Sequence, residues 1–150
     1  MIPVTLSLDN GNVYAPGDVL ANTQQIDAAL RKVDGTGVLQ SIQVFDADDQ
    51  TGYDFDVYIH RTSTSMGNEN SPVSISAANA ILAELKKVEF LTADHMTDLV
   101  NCKLYQRDNL GIPIRAVSGT DDIYISTVLR SGTPTHTTNG VTVVLGILLD

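Results

Sequence analysis

The eight residues from Tyr53 to His60, with the sequence YDFDVYIH, decide the fold class because apolar and polar side chains alternate along them. Every second side chain from Tyr53 to Ile59 is aromatic or aliphatic, and the positions between and after them include Asp54, Asp56 and His60. A period of two is that of a β-strand with one buried and one solvent-facing side. The pattern therefore predicts a strand over 53–60 with an exposed polar face that includes His60.

A second strand is predicted immediately upstream, over Val38–Phe45, where β-branched and apolar residues dominate. The segment between the two strands, Asp46–Gly52, is rich in Asp and ends in Gly, which are residues typical of turns. We therefore expect these two strands to pair with each other as a hairpin.

Two more strands are predicted near the C-terminus, over Asp122–Leu129 and Val141–Leu149, on either side of a polar loop. In the last strand, Val144 and Leu148 make the second face apolar as well as the first. A two-sheet sandwich covers only one face of each strand. We therefore predict Val144 and Leu148 as subunit-interface residues, although a covering loop or helix of the same chain explains the pattern equally well.

One short helix is predicted near residues 77–87, over Ala77–Lys87. Ser76 precedes it as an N-cap, Ile81 and Leu85 share one of its faces, and two lysines suit its C-terminal dipole. The spacing within Thr23–Lys32 fits a helix or a strand, so its structure stays open. With short strands elsewhere and no internal repeat, we expect an all-β, mainly antiparallel β-sandwich.

Size, charge and cysteine content limit the function classes. A chain of 150 residues with 43% hydrophobic residues fits a single domain over 1–150, with no visible linker. Its net charge of -9 is the wrong sign for binding nucleic acid or an anionic membrane surface. Cys102 is the only cysteine, which excludes an intrachain disulfide, and the N-terminus lacks the pattern of a secretory signal. We expect a chain that folds in a cytoplasm.

No catalytic or cofactor motif is found, so we predict no catalytic residue, no cofactor and no enzymatic activity. His60 and His136 are isolated in sequence and are expected to be exposed. Five aspartates lie close together, as calcium ligands often do, but their spacing does not fit an EF-hand. They are Asp46, Asp48, Asp49, Asp54 and Asp56. We expect a solvated turn rather than a metal site, and calcium binding by these acids stays open.

Several turn and strand-end motifs occur in a familiar order along almost the whole chain. They are Tyr14–Ala21, Gly35–Ile42 running into Asp46–Gln50, Ser118–Thr120 before the strand containing Tyr124, Arg130–Thr135, and the closing Leu145–Asp150. This order resembles that of small tailed-bacteriophage virion proteins, the head decoration or capsid cement family. These motifs are turns rather than reactive groups, so no site residue is transferred by the resemblance.

The resemblance implies a jelly-roll-like sandwich on the outer surface of a phage head, assembled in the host cytoplasm, that stabilises the shell by bridging major capsid subunits. We expect self-association as well, with a trimer favoured over a dimer. The N-terminal arm, residues 1–8, alternates apolar residues and is able to add a strand to another sheet. Met1, Ile2, Pro3 and Val4 are therefore candidate partner-binding residues, and the alternative is an ordinary first strand.

Two other functions stay open. The first is a carbohydrate-binding sandwich that uses the aspartate-rich segment with calcium, although the chain has no Trp and only five Tyr for stacking on sugars. The second is another head component, such as a connector or a head-fibre module, which would differ from a decoration protein in copy number.

Overall fold

The computed structural model describes residues 1–149 as two antiparallel β-sheets that face each other. The strands are β1 (Ile2–Thr5), β2 (Val19–Ile26), β3 (Thr36–Asp46), β4 (Asp54–His60), β5 (Lys86–Phe90), β6 (Met96–Asp98), β7 (Lys103–Arg107), β8 (Ile112–Arg115), β9 (Ile123–Ser131) and β10 (Val141–Leu149). The helices are α1 (Ala77–Leu82) and α2 (Thr92–His95). The predicted all-β, mainly antiparallel sandwich is confirmed.

The order of the strands is that of a jelly roll. The first sheet runs β1-β10-β3-β7-β6, with β8 also paired to β3, and the second sheet runs β2-β9-β4-β5. If the short β6 and β8 are left out, eight strands remain. Counted in chain order from one to eight, they follow the order 1-8-3-6 in the first sheet and 2-7-4-5 in the second sheet. This is the connectivity of two Greek keys wrapped into a double sheet.

The predicted hairpin between the strands around Val38–Phe45 and Tyr53–His60 is wrong. Both strands exist, but β3 pairs with β10, β7 and β8, whereas β4 pairs with β9 and β5 in the other sheet. The turn-rich segment between them crosses the roughly 10 Å that separates packed sheets. Each strand still buries one face, so the alternation of residues is the same for a hairpin and for a crossing.

The core lies between the two inner sheet faces and ends in an aromatic cluster. Phe55 stacks on Phe90 with ring centroids 5.0 Å apart, and it meets Tyr105 edge-on at 4.9 Å. Tyr53 lies 5.8 Å from Tyr105 and donates from its backbone N–H to the hydroxyl of that ring. The aliphatic part of the core comes from both sheets and includes Leu39, Ile42, Val57, Ile59, Ile125 and Leu145.

The helix near residues 77–87 is shorter than predicted. Ser76 caps it by accepting a hydrogen bond from the backbone of Asn79, as expected, but α1 ends at Leu82. Glu84 then adopts a left-handed conformation with φ of 51°, which a helix cannot contain, and both lysines belong to β5. Within residues 1–149, no helix is long and apolar enough to cross a membrane.

The segment Thr23–Lys32, whose spacing fits a helix or a strand, is a strand followed by a turn. Its first residues complete β2, and the chain then turns at Ala28, whose φ is 50°. Ala29 and Leu30 reach the core from this turn, which explains why their spacing resembles that of a helix face.

The outer face of the second sheet is covered by residues 61–76. Met66 packs there against Val19 and Val128, with Val73 and Ile75 around them, to form a second, smaller apolar cluster. As a result, Asp56 and His60 on the predicted polar face of β4 are only 1% and 2% exposed. The prediction that His60 is exposed is therefore wrong, because a polar covering segment buries it.

Candidate functional site

The N-terminal candidate residues lie in β1, at one edge of the first sheet. The strand pairs with β10 through Ile2 opposite Leu145 and Pro3 opposite Val144. Ile2 and Val4 pack against the core, whereas Met1 and Pro3 are exposed. The segment is thus a strand of this sandwich, and partner binding by Met1, Ile2, Pro3 and Val4 stays a prediction.

The last strand has the two apolar faces that its sequence predicts. Its inner face carries fully buried Val143 and Leu145, whereas Val144 is half-buried and Leu148 is 61% exposed. The register shifts between Gly146 and Ile147. A Cβ at Gly146 would come too close to the side chains of Ser41 and Met1. Among residues 1–149, no loop or helix covers Leu148, unlike the outer face of the second sheet. Subunit packing on these residues stays a prediction.

The first sheet has an outer face without ionisable side chains on β1, β10, β3 and β7. We call this the uncharged outer face. The register of the four strands assigns to it Pro3, Thr5, Val38, Ser41, Gln43, Phe45, Leu104, Gln106, Thr142, Val144 and Leu148. Apolar side chains lie at both ends of this face, and glutamines lie in the middle. The lack of acids here contrasts with a chain whose net charge is -9.

A second candidate site is a buried cluster of Asp46, Asp48 and His136. Asp46 ends β3, Asp48 follows in the crossing segment, and His136 lies in the loop before β10. The His136 Nδ1 atom lies 3.4 Å from Oδ2 of Asp48 and 3.7 Å from Oδ1 of Asp46. The side chains of His136 and Asp46 are completely buried, and that of Asp48 is 16% exposed. The prediction that His136 is exposed is therefore wrong.

Hydrogen bonds hold the two aspartates in place. Asp46 Oδ1 accepts from the backbone N–H of Asp48 at 3.0 Å. The Asp48 carboxylate accepts from the backbone N–H of Thr137 at 2.7 Å and from its hydroxyl at 2.8 Å. Gly140 is required beside them, since a Cβ there would lie 1.7 Å from Asp48 Oδ2. These contacts join the crossing segment to the loop before β10.

The interior of the protein changes the acid–base behaviour of this cluster. Burial raises the pKa of the Asp46 carboxyl, and the nearby His136 partly offsets the effect. Burial also lowers the pKa of His136. Tyr53, whose ring lies 5.4 Å from that of His136, has a pKa well above its ordinary value, again mainly because of burial. The site therefore disfavours uncompensated charge.

The five aspartates of the acidic segment do not converge on one point. Asp49 forms an ion pair with Lys103 at 2.7 Å, and Asp56 forms one with Arg130 at 3.0 Å. Asp54 accepts hydrogen bonds from Thr92 and Ser131. Asp46 and Asp48 remain as the two that meet, and their third neighbour is His136 rather than another acid. The acids do not form the oxygen-rich shell that calcium requires.

Comparison with known proteins gives little similarity. No protein-family model matches the sequence, and no curated protein matches it either. Among solved structures, the chain has a weak likeness to one of Desmodium yellow mottle tymovirus, with 12% identity over 97% of this chain and 77% of that chain. The TM-score is 0.30, which is too low to show a shared fold.

Proposed function

We propose that this protein is a structural virion component, a decoration or cement protein that binds the outer surface of a tailed-phage head. In this role it has no catalytic activity and acts as one domain over 1–150. Its partners are the major capsid protein and further copies of itself, with a homotrimer favoured over a dimer. The order of the turn and strand-end motifs in the sequence and the jelly-roll order of the strands support this proposal.

The uncharged outer face of the first sheet is the observation that carries the proposal. Cores of protein interfaces are depleted of charged residues, because burying an unpaired charge is costly. Packing this face against another subunit would remove Phe45, Val144 and Leu148 from water, and β1, β10, β3 and β7 place no carboxylate in such a contact. The acids of the chain stay outside such a contact and keep the free protein soluble.

The edge strand β1 supplies a second contact of a different kind. Edge strands offer unpaired backbone groups to a further strand, and Pro3 limits the pairing because it has no N–H. A subunit that uses both the edge and the uncharged outer face would touch two neighbours at once. Such bridging multiplies weak contacts through effective concentration, which is how a cement protein would stabilise a shell.

The carbohydrate-binding alternative has less support. Tyr14, Tyr53 and Tyr105 are buried, and Tyr58 and Tyr124 are half-buried. Sugar-binding surfaces normally present exposed aromatic rings for stacking. A connector or head-fibre module would use the same surfaces, so copy number is what separates it from a decoration protein.

A binding assay with particles assembled without this protein tests the proposal. We expect the wild-type chain to co-sediment with the particles, and the double variant Val144→Asp, Leu148→Asp to lose at least about tenfold in affinity, because it places two charges in the contact. Ile81→Asp is the control, since Ile81 is 75% exposed on α1 and is not part of the uncharged outer face. Unchanged binding of the double variant, or equal loss in the control, would contradict the proposed surface.

A further inference from the structure

Two separations within the buried cluster are close to those between ligands of a metal ion. The Nδ1 atom of His136 is 3.4 Å and 3.7 Å from oxygens of Asp48 and Asp46. These separations exceed the roughly 2.7–2.9 Å of a charge-assisted hydrogen bond. Ligand atoms about 2.0–2.1 Å from a tetrahedral zinc ion lie about 3.3–3.4 Å from one another. The separations are therefore closer to those of zinc ligands than to those of a hydrogen-bonded ion pair.

Buried polar atoms of the same cluster lack hydrogen-bond partners. Oδ2 of Asp46 and both ring nitrogens of His136 are buried without a hydrogen-bond partner. Buried polar groups in proteins nearly always have partners, because leaving one unpaired costs free energy. One ligand atom from each of the three side chains lies within 4.8 Å of the others. A cation between the three side chains would give a partner to Asp46 and to one ring nitrogen of His136.

The surroundings of Asp48 match those of a metal ligand. Carboxylates that bind metals are themselves held by hydrogen bonds, and Thr137 holds both oxygens of Asp48. Asp48 is also the partly exposed member of the cluster, so it lies on the side from which an ion can enter.

We propose that Asp46, Asp48 and His136 bind one divalent transition-metal ion of the zinc type, with a fourth position open toward solvent. Two carboxylates balance the charge of a dication, and neutral imidazole is a common zinc ligand. Calcium fits less well, because it takes six to eight oxygen ligands. The ion would join the end of β3 to the loop before β10 and so clamp one end of the sandwich. This proposal does not depend on the virion role.

Zinc titration of the purified, chelator-treated protein tests the proposal. We expect one zinc ion per chain by calorimetry and, at zinc concentrations of 100 times Kd, a rise in melting temperature of about 5–10 °C. Asp46→Asn should weaken binding at least about tenfold. This variant should still fold, because the amide keeps an oxygen for the Asp48 N–H. Asp49→Asn is the matched control: it removes the same charge from the same segment and should bind as wild type.

Equal effects of the two substitutions would overturn the proposal, because they would show non-specific attraction to acids. The absence of zinc binding to the wild-type chain would overturn it as well. Should Asp46→Asn fail to fold, Co²⁺ added to the wild type decides the matter. Visible absorption of tetrahedral Co²⁺ that zinc displaces supports the site, and a spectrum like that of Co²⁺ in buffer contradicts it.

Discussion

The two sheets differ in what lies on their outer faces. Residues 61–76 cover the second sheet and bury Asp56 and His60, whereas Leu148 on the first sheet stays exposed. The sequences of the strands suggest the opposite, since β4 carries polar residues on its outer face and β10 carries apolar ones. A strand pattern therefore predicts which positions share a face, but it does not predict what covers that face.

The covered face requires a compensating partner for its charge, whereas the uncharged outer face has no ionisable side chain on β1, β10, β3 and β7. Asp56 forms an ion pair with Arg130 at 3.0 Å, and the Tyr58 hydroxyl donates a hydrogen bond to the same carboxylate oxygen at 3.3 Å. On the uncharged outer face of the first sheet there is no such need. A surface of this kind can be buried against another subunit at low electrostatic cost.

The largest effect is expected from breaking the cover of the second sheet. Met66 is 2% exposed between that sheet and residues 61–76. Met66→Ala should lower the free energy of unfolding by about 2–4 kcal/mol, because it removes a buried side chain and leaves a cavity. Urea denaturation followed by circular dichroism measures this change. A loss below about 0.5 kcal/mol would mean that the segment does not pack on the sheet in solution.

The second effect is a dependence of stability on pH. Burial under the same segment lowers the pKa of His60 from 6.5 to about 4. The unfolded chain therefore binds a proton that the folded chain excludes, so stability falls as pH drops from about 6.5 toward 4. The resulting loss in the free energy of unfolding is up to about 3 kcal/mol, and it is complete at pH values below both pKa values. We expect the free energy of unfolding of His60→Leu, measured in urea, to fall by about this amount less over the same pH range. An unchanged pH dependence would show that His60 is exposed.

The smallest effect is expected on the uncovered side. Leu148→Ala should change the free energy of unfolding by no more than about 0.5 kcal/mol in the free chain, because this side chain is 61% exposed. The same urea experiment measures it. A loss as large as that of Met66→Ala would show that Leu148 is already buried in a self-assembled form.

Local patterns predict the elements well and their partners less well. β10 runs from Val141 to Leu149 as predicted, and β3 and β4 lie within two residues of their predicted bounds. The predicted pairing of β3 with β4 is wrong, because period-two alternation indicates a buried face and not a sheet. The predicted helix is too long, because the left-handed turn at Glu84 has no Gly or Asn to signal it.

The sequence indicates only two of the three residues of the candidate metal cluster. Asp46 and Asp48 belong to the acidic segment whose composition suggests calcium, but His136 lies far along the chain in a threonine-rich loop. Long-range hydrogen bonds bring them together, including those from Thr137 to Asp48 and from Ala47 to Gly140. The sequence does not predict the proximity of Gly140 to Asp48 either. Glycine is common in loops because of the conformational freedom of its backbone, so its presence there does not indicate a close contact.

Quantitative mass spectrometry of purified particles tests the central proposal most directly, by comparing the copy number of this chain with that of the major capsid protein. A decoration role predicts one copy per capsid subunit or a simple fraction of it. A handful of copies per particle would contradict that role and indicate a connector or fibre part, and complete absence from the particles would contradict the virion role altogether.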